Sequence, residues 1–257
     1  MCAASEAKQI SATDQVAVEL RRAVHGGDIE HLRRLLREDP ALASARLVAP
    51  NGSGKTPLHE VTDWPGYFPN GPAVARLLIV AGAEIDARTA GPGGNSDEPG
   101  SETPLHYAAS SDDVDVAEVL IDGGANIEAP HGSIGTPLDN AIGYGCWHVA
   151  RLLVARGARV DRLWHASALG MLGRLDELLG MNPEPSRDQI SQALWHACAA
   201  AQRRAAERLL ERGADLNWEP DYAHGTPLDA ARSRNTREEN VVDWLSGLGA
   251  RSASSDA

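Results

Sequence analysis

The stretch APNGSGKT, residues 49–56, holds the residue types that could bind a nucleotide phosphate. In a phosphate-binding loop, glycines let backbone N–H groups surround phosphate oxygens, a lysine contacts the phosphates and a hydroxyl binds Mg²⁺. Gly54, Lys55 and Thr56 match the last three positions, but an alanine stands where the loop requires its first glycine. Pro57 follows and disfavours the α conformation at the residue before it, although the loop should begin its helix there. The sequence therefore predicts no nucleotide site and assigns these glycines to a turn.

Two histidines, His165 and His196, occupy identical LWHA segments and could form a metal-binding or acid–base pair. Equivalent positions on packed helices lie about 8–10 Å apart, whereas two ligands of one zinc ion must each lie about 2 Å from it. The pair could still flank a bound small molecule. The chain offers no spaced set of zinc ligands and no nucleophile–base constellation. We therefore predict no metal, no cofactor and no catalytic residue, and place both histidines inside a repeat interface or on a groove.

Three aromatic residues, Trp64, Tyr67 and Phe68, cluster in the segment DWPGYFPNG, residues 63–71. A loop with two prolines and two glycines cannot bury all three side chains in a core of its own. Aromatic side chains on a rigid scaffold are typical anchors for a binding partner. Two alternatives stay open, because the rings could also fold back over the adjacent helix.

The charge balance of the chain limits its partners. Its 24 basic and 36 acidic residues give a net charge of −12, whereas nucleic-acid binding requires a basic surface. The same charge repels anionic membranes, and neither an apolar run of spanning length nor a secretory signal is visible. The three cysteines form no C-x-x-C pair, which suits a reducing compartment. We expect a cytoplasmic, monomeric protein with no nucleic-acid or membrane partner.

A repeated pair of amphipathic segments must position these residues. The first segment of each pair begins with a leucine and carries a small apolar residue three positions later, so that both fall on one helix face. These segments begin at Leu20, Leu58, Leu105, Leu138, Leu163, Leu194 and Leu228. Four of them follow Thr-Pro, in which threonine caps the helix and proline suits its first turn. Most second segments are followed by a glycine, at the position where a helix commonly ends with a residue in the left-handed conformation. These glycines are Gly82, Gly124, Gly157, Gly213 and Gly249.

The period and phrases of this unit resemble the ankyrin repeat. Leu105 and Leu138 are 33 residues apart, and the best-matching phrases are TPLHYAA from Thr103 and RGADLNW from Arg212. The resemblance covers roughly residues 14–252. It implies an all-α solenoid of about six or seven stacked helix-turn-helix units, joined by short β-hairpin connections and of a divergent, bacterial type.

The resemblance also sets the expected boundaries. We expect disordered ends at residues 1–13 and 253–257 around one repeat domain at 14–252. Insertions are expected at 63–71 and 89–102. In the family, the histidine of T-P-L-H bonds the capping threonine and the backbone of an adjacent repeat. Because aspartates replace it after Leu138 and Leu228, those contacts must differ there.

By resemblance, we expect a non-catalytic adaptor that binds another protein on its concave face. The first helices and hairpin tips line that face in the family, which adds Tyr107 and Tyr144 to the candidates. The predicted partner-binding residues are therefore Trp64, Tyr67, Phe68, Tyr107, Tyr144, His165 and His196. The alternative is a small-molecule or enzymatic site in the groove that uses His165, His196 and nearby aromatics. A pocket that encloses those side chains would favour this alternative, and an open groove would favour the adaptor.

Overall fold

A computed structural model describes residues 8–92, 101–232 and 238–253, with side chains in the last range described from residue 240. The chain divides into two compact units, residues 1–158 and 159–257, and each is described by itself. Parts of three expected features lie outside the described residues: the disordered ends at 1–7 and 254–257, and the middle of the second insertion. The expected bounds of one domain at 14–252 stay a prediction.

Unit 1 consists of four consecutive pairs of helices. They are α1 (Gln15–Gly26), α2 (Ile29–Glu38), α3 (Pro57–Thr62), α4 (Gly71–Val80), α5 (Pro104–Ser111), α6 (Val114–Asp122), α7 (Pro137–Tyr144) and α8 (Trp147–Ala155). A 3₁₀ helix at Pro40–Ser44 follows α2. First helices pack on first helices and second helices on second helices from one pair to the next. Leu20, Leu58, Leu105 and Leu138 are buried, since each pair covers the apolar face of its neighbour.

A small sheet lies at the start of unit 1. Its strands are β1 (Gln9–Ser11), β2 (Arg46–Val48) and β3 (Gly54–Lys55), with β1 parallel to β2 and β2 antiparallel to β3. Residues 9–11 therefore differ from the disorder expected over 1–13. Ile10 pairs with Leu47, and both side chains are buried. A three-residue strand carries too short a pattern to identify, and its partner lies far along the chain.

Unit 2 contains three further pairs of helices among its described residues. They are α9 (Leu163–Ala168), α10 (Leu172–Leu179), α11 (Arg187–Ala199), α12 (Arg203–Glu211), α13 (Pro227–Arg232) and α14 (Glu238–Gly247). Helix α11 packs against α9, α12 and α13 and begins at a capping box formed by Ser186 and Gln189. Leu163, Leu194 and Leu228 are buried. The predicted all-α fold of paired helices is confirmed.

The predicted helix ends are confirmed as well. Thr56, Thr103 and Thr136 each form a capping box with the residue three positions later. The predicted glycines Gly82, Gly124, Gly157, Gly213 and Gly249 all have positive φ angles. Within the described ranges, no helix combines the length and the apolar character needed to cross a membrane.

Candidate functional site

The histidine of T-P-L-H joins one repeat to the next in unit 1. Nδ1 of His59 accepts from the backbone N–H of Thr56 at 3.2 Å and lies 2.8 Å from its hydroxyl oxygen. Nε2 donates to the carbonyl oxygen of Glu102 at 2.9 Å. The ring is fully buried, and this burial lowers its pKa to about 4. His59 is therefore neutral at pH 7, with its single N–H directed at the next repeat.

His106 repeats this arrangement at the next position. Its Nδ1 lies 2.8 Å from the Thr103 hydroxyl oxygen and its Nε2 3.0 Å from the carbonyl oxygen of Gly135. Asp139 takes the same place after Thr136, where its Oδ2 accepts from the Thr136 N–H at 2.6 Å and hydroxyl at 3.0 Å. A carboxylate can only accept, so this copy lacks the donor that the histidines supply.

Lys55, the lysine of the segment that resembles a phosphate-binding loop, contacts other residues of the protein. Nζ of Lys55 donates to Oδ2 of Asp63 at 2.6 Å and lies 4.9 Å from the ring centre of Tyr107. Burial alone would lower the pKa of Lys55, but the hydrogen bond to Asp63 and the surrounding negative charge raise it. Lys55 is therefore a cation held between a carboxylate and an aromatic ring.

The glycines around Lys55 divide between a turn and a strand. Gly52 lies in the turn, with a φ angle of 85°. Gly54 belongs to β3 and donates its N–H to the carbonyl oxygen of Ala90 at 2.9 Å. Assigning Gly54 to the turn was wrong. Its small size is needed because a Cβ atom there would lie 2.7 Å from the side chain of Arg46.

The loop at residues 63–71 is fixed to the turn between α5 and α6. The backbone N–H of Tyr67 donates to Oδ2 of Asp113 at 2.7 Å, and its hydroxyl donates to the carbonyl oxygen of Asp112. Gly66 lies so close to Ser111 that an added Cβ would be 3.0 Å from the serine Cβ. The loop therefore has a defined position.

The three loop aromatics have different surroundings. Trp64 is 81% exposed and Tyr67 is 61% exposed. Phe68 is half-buried and stacks on His25, with ring centres 4.5 Å apart and planes 6° apart. Phe68 therefore folds back onto α1, as one of the two alternatives expected, while Trp64 and Tyr67 face solvent, and their role as partner anchors stays a prediction.

Trp64 shares a hollow with two tyrosines of the neighbouring repeats. We call this the aromatic hollow; it has a volume of about 540 Å³ and is lined by Asp63, Trp64, Glu102, Tyr107, Ser110, Ser111 and Tyr144. Tyr107 is half-buried, and His59 contacts its ring edge-on at 5.2 Å. Tyr144 is 52% exposed. Five of the predicted residues thus lie in unit 1, and three of these line one hollow.

Glu102 is a residue of this hollow that the sequence did not single out. Its Oε1 accepts from the Ser133 N–H at 3.0 Å, the Ser133 hydroxyl at 2.8 Å and the Asn140 amide at 2.5 Å. The Ser133 hydroxyl also lies 3.3 Å from that of Tyr144. Thr89 holds the Glu102 backbone through two 2.9 Å hydrogen bonds. Glu102 ends the second insertion, and no local pattern indicates where its side chain goes.

A second hollow in unit 1, of about 630 Å³, contains an internal ion pair. Oε2 of the buried Glu60 lies 3.2 Å from Nε of Arg21 and 3.1 Å from Nε2 of His25. Burial alone would raise the pKa of Glu60, but His25 and Arg21 outweigh this and lower it. The charges in this hollow compensate one another.

The histidines of the LWHA segments are packed inside unit 2. His165 and His196 are both buried, which agrees with the predicted placement inside a repeat interface and differs from the groove placement that partner contacts would need. His196 stacks on Trp164 at 4.7 Å between ring centres, and its Nε2 lies 3.3 Å from the Tyr222 hydroxyl. A hollow of about 570 Å³ beside them is lined by Trp164 and Met181 but by neither histidine. The indole of Trp164 contacts both imidazoles, edge-on at His165 of its own helix and stacked on His196 of α11.

The described residues offer little for thiol chemistry or metal binding. Among the described residues, Cys146 and Cys198 are buried and form no disulfide, and burial raises the pKa of the Cys198 thiol to about 12. A thiol with such a pKa is a weak nucleophile. In the ranges that the structure covers, no three His, Cys, Asp or Glu side chains gather around a possible metal position.

Comparison with known proteins identifies the repeats. The family described as ankyrin repeats, in three copies, matches residues 67–162, which run from the aromatic loop through α8. The chain contains ankyrin repeats. This agrees with the buried leucines and the threonine–histidine contacts, and the partners of this fold are in general proteins.

Its relatives are ankyrin-repeat proteins of different kinds. The B-cell lymphoma 3 protein homolog of Mus musculus is 28% identical over 83% of this chain and 46% of its own length. An ankyrin repeat and KH domain-containing protein of Caenorhabditis briggsae is 29% identical over 72% of this chain and 7% of its own. This ankyrin-repeat chain thus spans less than half the length of these curated relatives.

A solved structure shares the fold. The human ASB11 ankyrin repeat domain has a TM-score of 0.52 and 21% identity, covering 88% of this chain and 96% of that one. At that identity the likeness concerns the fold alone.

Proposed function

We propose that this ankyrin-repeat protein is a non-catalytic adaptor that acts as a cytoplasmic monomer. Its partner is another protein, which docks on the aromatic hollow and the adjoining loop side chain of Tyr67. The observation that carries the proposal is the exposure of Trp64, 81% of whose surface is open to solvent on a loop with a fixed backbone. We do not propose the small-molecule or enzymatic alternative, because neither His165 nor His196 lines the hollow of about 570 Å³ beside them.

Preorganisation supports this function. Asp113 fixes the loop backbone at 2.7 Å, and the Asp63 carboxylate accepts from the Trp64 N–H at 3.0 Å. A side chain that is already positioned loses little conformational freedom when a partner covers it. Exposed tryptophan and tyrosine are the residue types that contribute most to protein interfaces. Folding does not require an exposed tryptophan at this position. We therefore attribute the exposure of Trp64 to the binding of a partner.

Capture from the native lysate tests the proposal with two single variants. Trp64→Ala should melt within about 2 °C of the wild type, because little of its surface is buried, and should lose the captured partner. Phe68→Ala should cost about 2 kcal/mol of stability, roughly half the cost of truncating a fully buried phenylalanine. Val80→Ala truncates another side chain that is 85% exposed and should leave both stability and capture unchanged.

Two outcomes would contradict the proposal. One is a large fall in melting temperature for Trp64→Ala with the partner retained, which would make the loop a cover for the core. The other is loss of the partner in Val80→Ala, which would place the interface elsewhere. Cell fractionation and light scattering test the cytoplasmic and monomeric state separately.

A further inference from the structure

We infer that the aromatic hollow binds the cationic head of a lysine or arginine side chain, so that the docking segment of the partner is basic. This inference rests on the proposed function and specifies the chemistry of its partner. It combines the aromatic rings of the hollow, a carboxylate with no ion-pair partner among the described residues, and the charge of the whole chain.

The aromatic rings supply the first part of the argument. A cation is attracted to the face of a tryptophan or tyrosine within about 6 Å of the ring centre. The chain already contains this contact, because the ammonium of Lys55 lies 4.9 Å from the ring centre of Tyr107. Trp64 and Tyr144 offer further ring surface to the same hollow, being 81% and 52% exposed.

Glu102 supplies the negative charge. Its three hydrogen bonds within residues 101–232 come from the neutral groups of Ser133 and Asn140, and all of them reach Oε1. They hold the carboxylate in place and leave Oε2 for another donor. Asp63, the other carboxylate of the hollow, is compensated by Lys55 at 2.6 Å. Among the residues that the structure describes, no cation is therefore paired with the Glu102 carboxylate in this hollow.

The size and overall charge agree with a basic segment. A hollow of about 540 Å³ accommodates a long side chain with part of its backbone. The net charge of −12 attracts basic partners over longer distances and repels acidic ones. Aromatic faces with a fixed carboxylate select a cation over a neutral side chain of equal length.

Pools of immobilised peptides test the inference without a known partner. Each pool has nine-residue peptides with randomised flanks and one fixed central residue: lysine, arginine, acetyl-lysine or glutamate. Acetyl-lysine keeps the side chain and removes its charge. The wild-type protein should be retained about fivefold more on the lysine and arginine pools than on the acetyl-lysine pool. This ratio corresponds to about 1 kcal/mol.

Three variants separate the local site from general attraction. Glu102→Gln retains the acceptor oxygen and removes the charge, and Trp64→Leu retains apolar volume and removes the ring. Both should bring the lysine to acetyl-lysine ratio close to one. Glu84→Gln removes one charge from an exposed residue outside the hollow and should retain the wild-type ratio. Melting curves check that Glu102→Gln is folded.

Each remaining outcome overturns the inference. Equal retention on the lysine and acetyl-lysine pools shows that the hollow does not select a cation, and equal losses in Glu102→Gln and Glu84→Gln show that the attraction is general. If the lysate partner still depends on Trp64 in either case, the adaptor function stands and the cationic specificity alone is wrong. If capture is also independent of Trp64, both proposals fail.

Discussion

Acidification from pH 7 to pH 5 should destabilise this protein through its buried T-P-L-H histidines. The pKa of His59 is about 4 in the folded chain, against an ordinary value of 6.5. Between these values the unfolded state binds more protons than the folded state. The free energy of unfolding therefore falls as the pH falls, and the stabilisation is fully present only above about pH 6.5.

The magnitude follows from the size of the shift. Where only the unfolded chain binds the proton, the free energy of unfolding falls by about 1.4 kcal/mol for each pH unit of acidification. From pH 6.5 to pH 5 the loss from His59, with its pKa of about 4, is about 2 kcal/mol. Burial lowers the pKa of His106 as well, so this histidine acts in the same direction. The carboxylates with lowered pKa values, such as Glu60, lose their contribution only at lower pH.

Urea denaturation between pH 7 and pH 5, followed by circular dichroism, measures this loss. His59→Asn removes the ionisable group, so the difference between pH 7 and pH 5 should shrink by about 2 kcal/mol even if the variant is less stable. His224→Asn replaces an exposed histidine and should leave the pH dependence unchanged. A wild-type free energy of unfolding that is constant to within about 0.5 kcal/mol, or an equal pH dependence in His59→Asn, would refute the reasoning.

Two further predictions concern the repeat frame and the segment that resembles a phosphate-binding loop. Thr103→Ala should cost about 0.5–2 kcal/mol in chemical denaturation, because its buried hydroxyl lies 2.8 Å from Nδ1 of His106. Thr13→Ala, at an exposed site, should cost less, and a neutral Thr103→Ala would contradict the capping role. Calorimetry with ATP and Mg²⁺ should show no saturable binding at micromolar concentration, because Asp63 and Tyr107 already surround Lys55. Saturable heat that disappears in Lys55→Ala would contradict this prediction and show that Lys55 binds phosphate.

Tertiary structure decided which of the predicted site residues are accessible. Trp64 and Phe68 lie four residues apart in one loop, yet one faces solvent and the other stacks on His25 of α1. His165 and His196 each follow a tryptophan in the sequence, but only the folded chain stacks Trp164 of one segment on His196 of the other. Such outcomes depend on contacts between residues that are distant in the chain, and the residue types alone are compatible with either result.

The sequence by itself determined the repeat frame. Leucines at helical spacing, Thr-Pro starts and glycine ends act within one or two turns of backbone, so their effect can be read locally. The position of Glu102 was decided only by the tertiary structure. Glu102 lines the aromatic hollow because His59 and Thr89 hold its backbone while Ser133 and Asn140 hold its side chain. These partners come from three different parts of the chain, and folding alone brings them together.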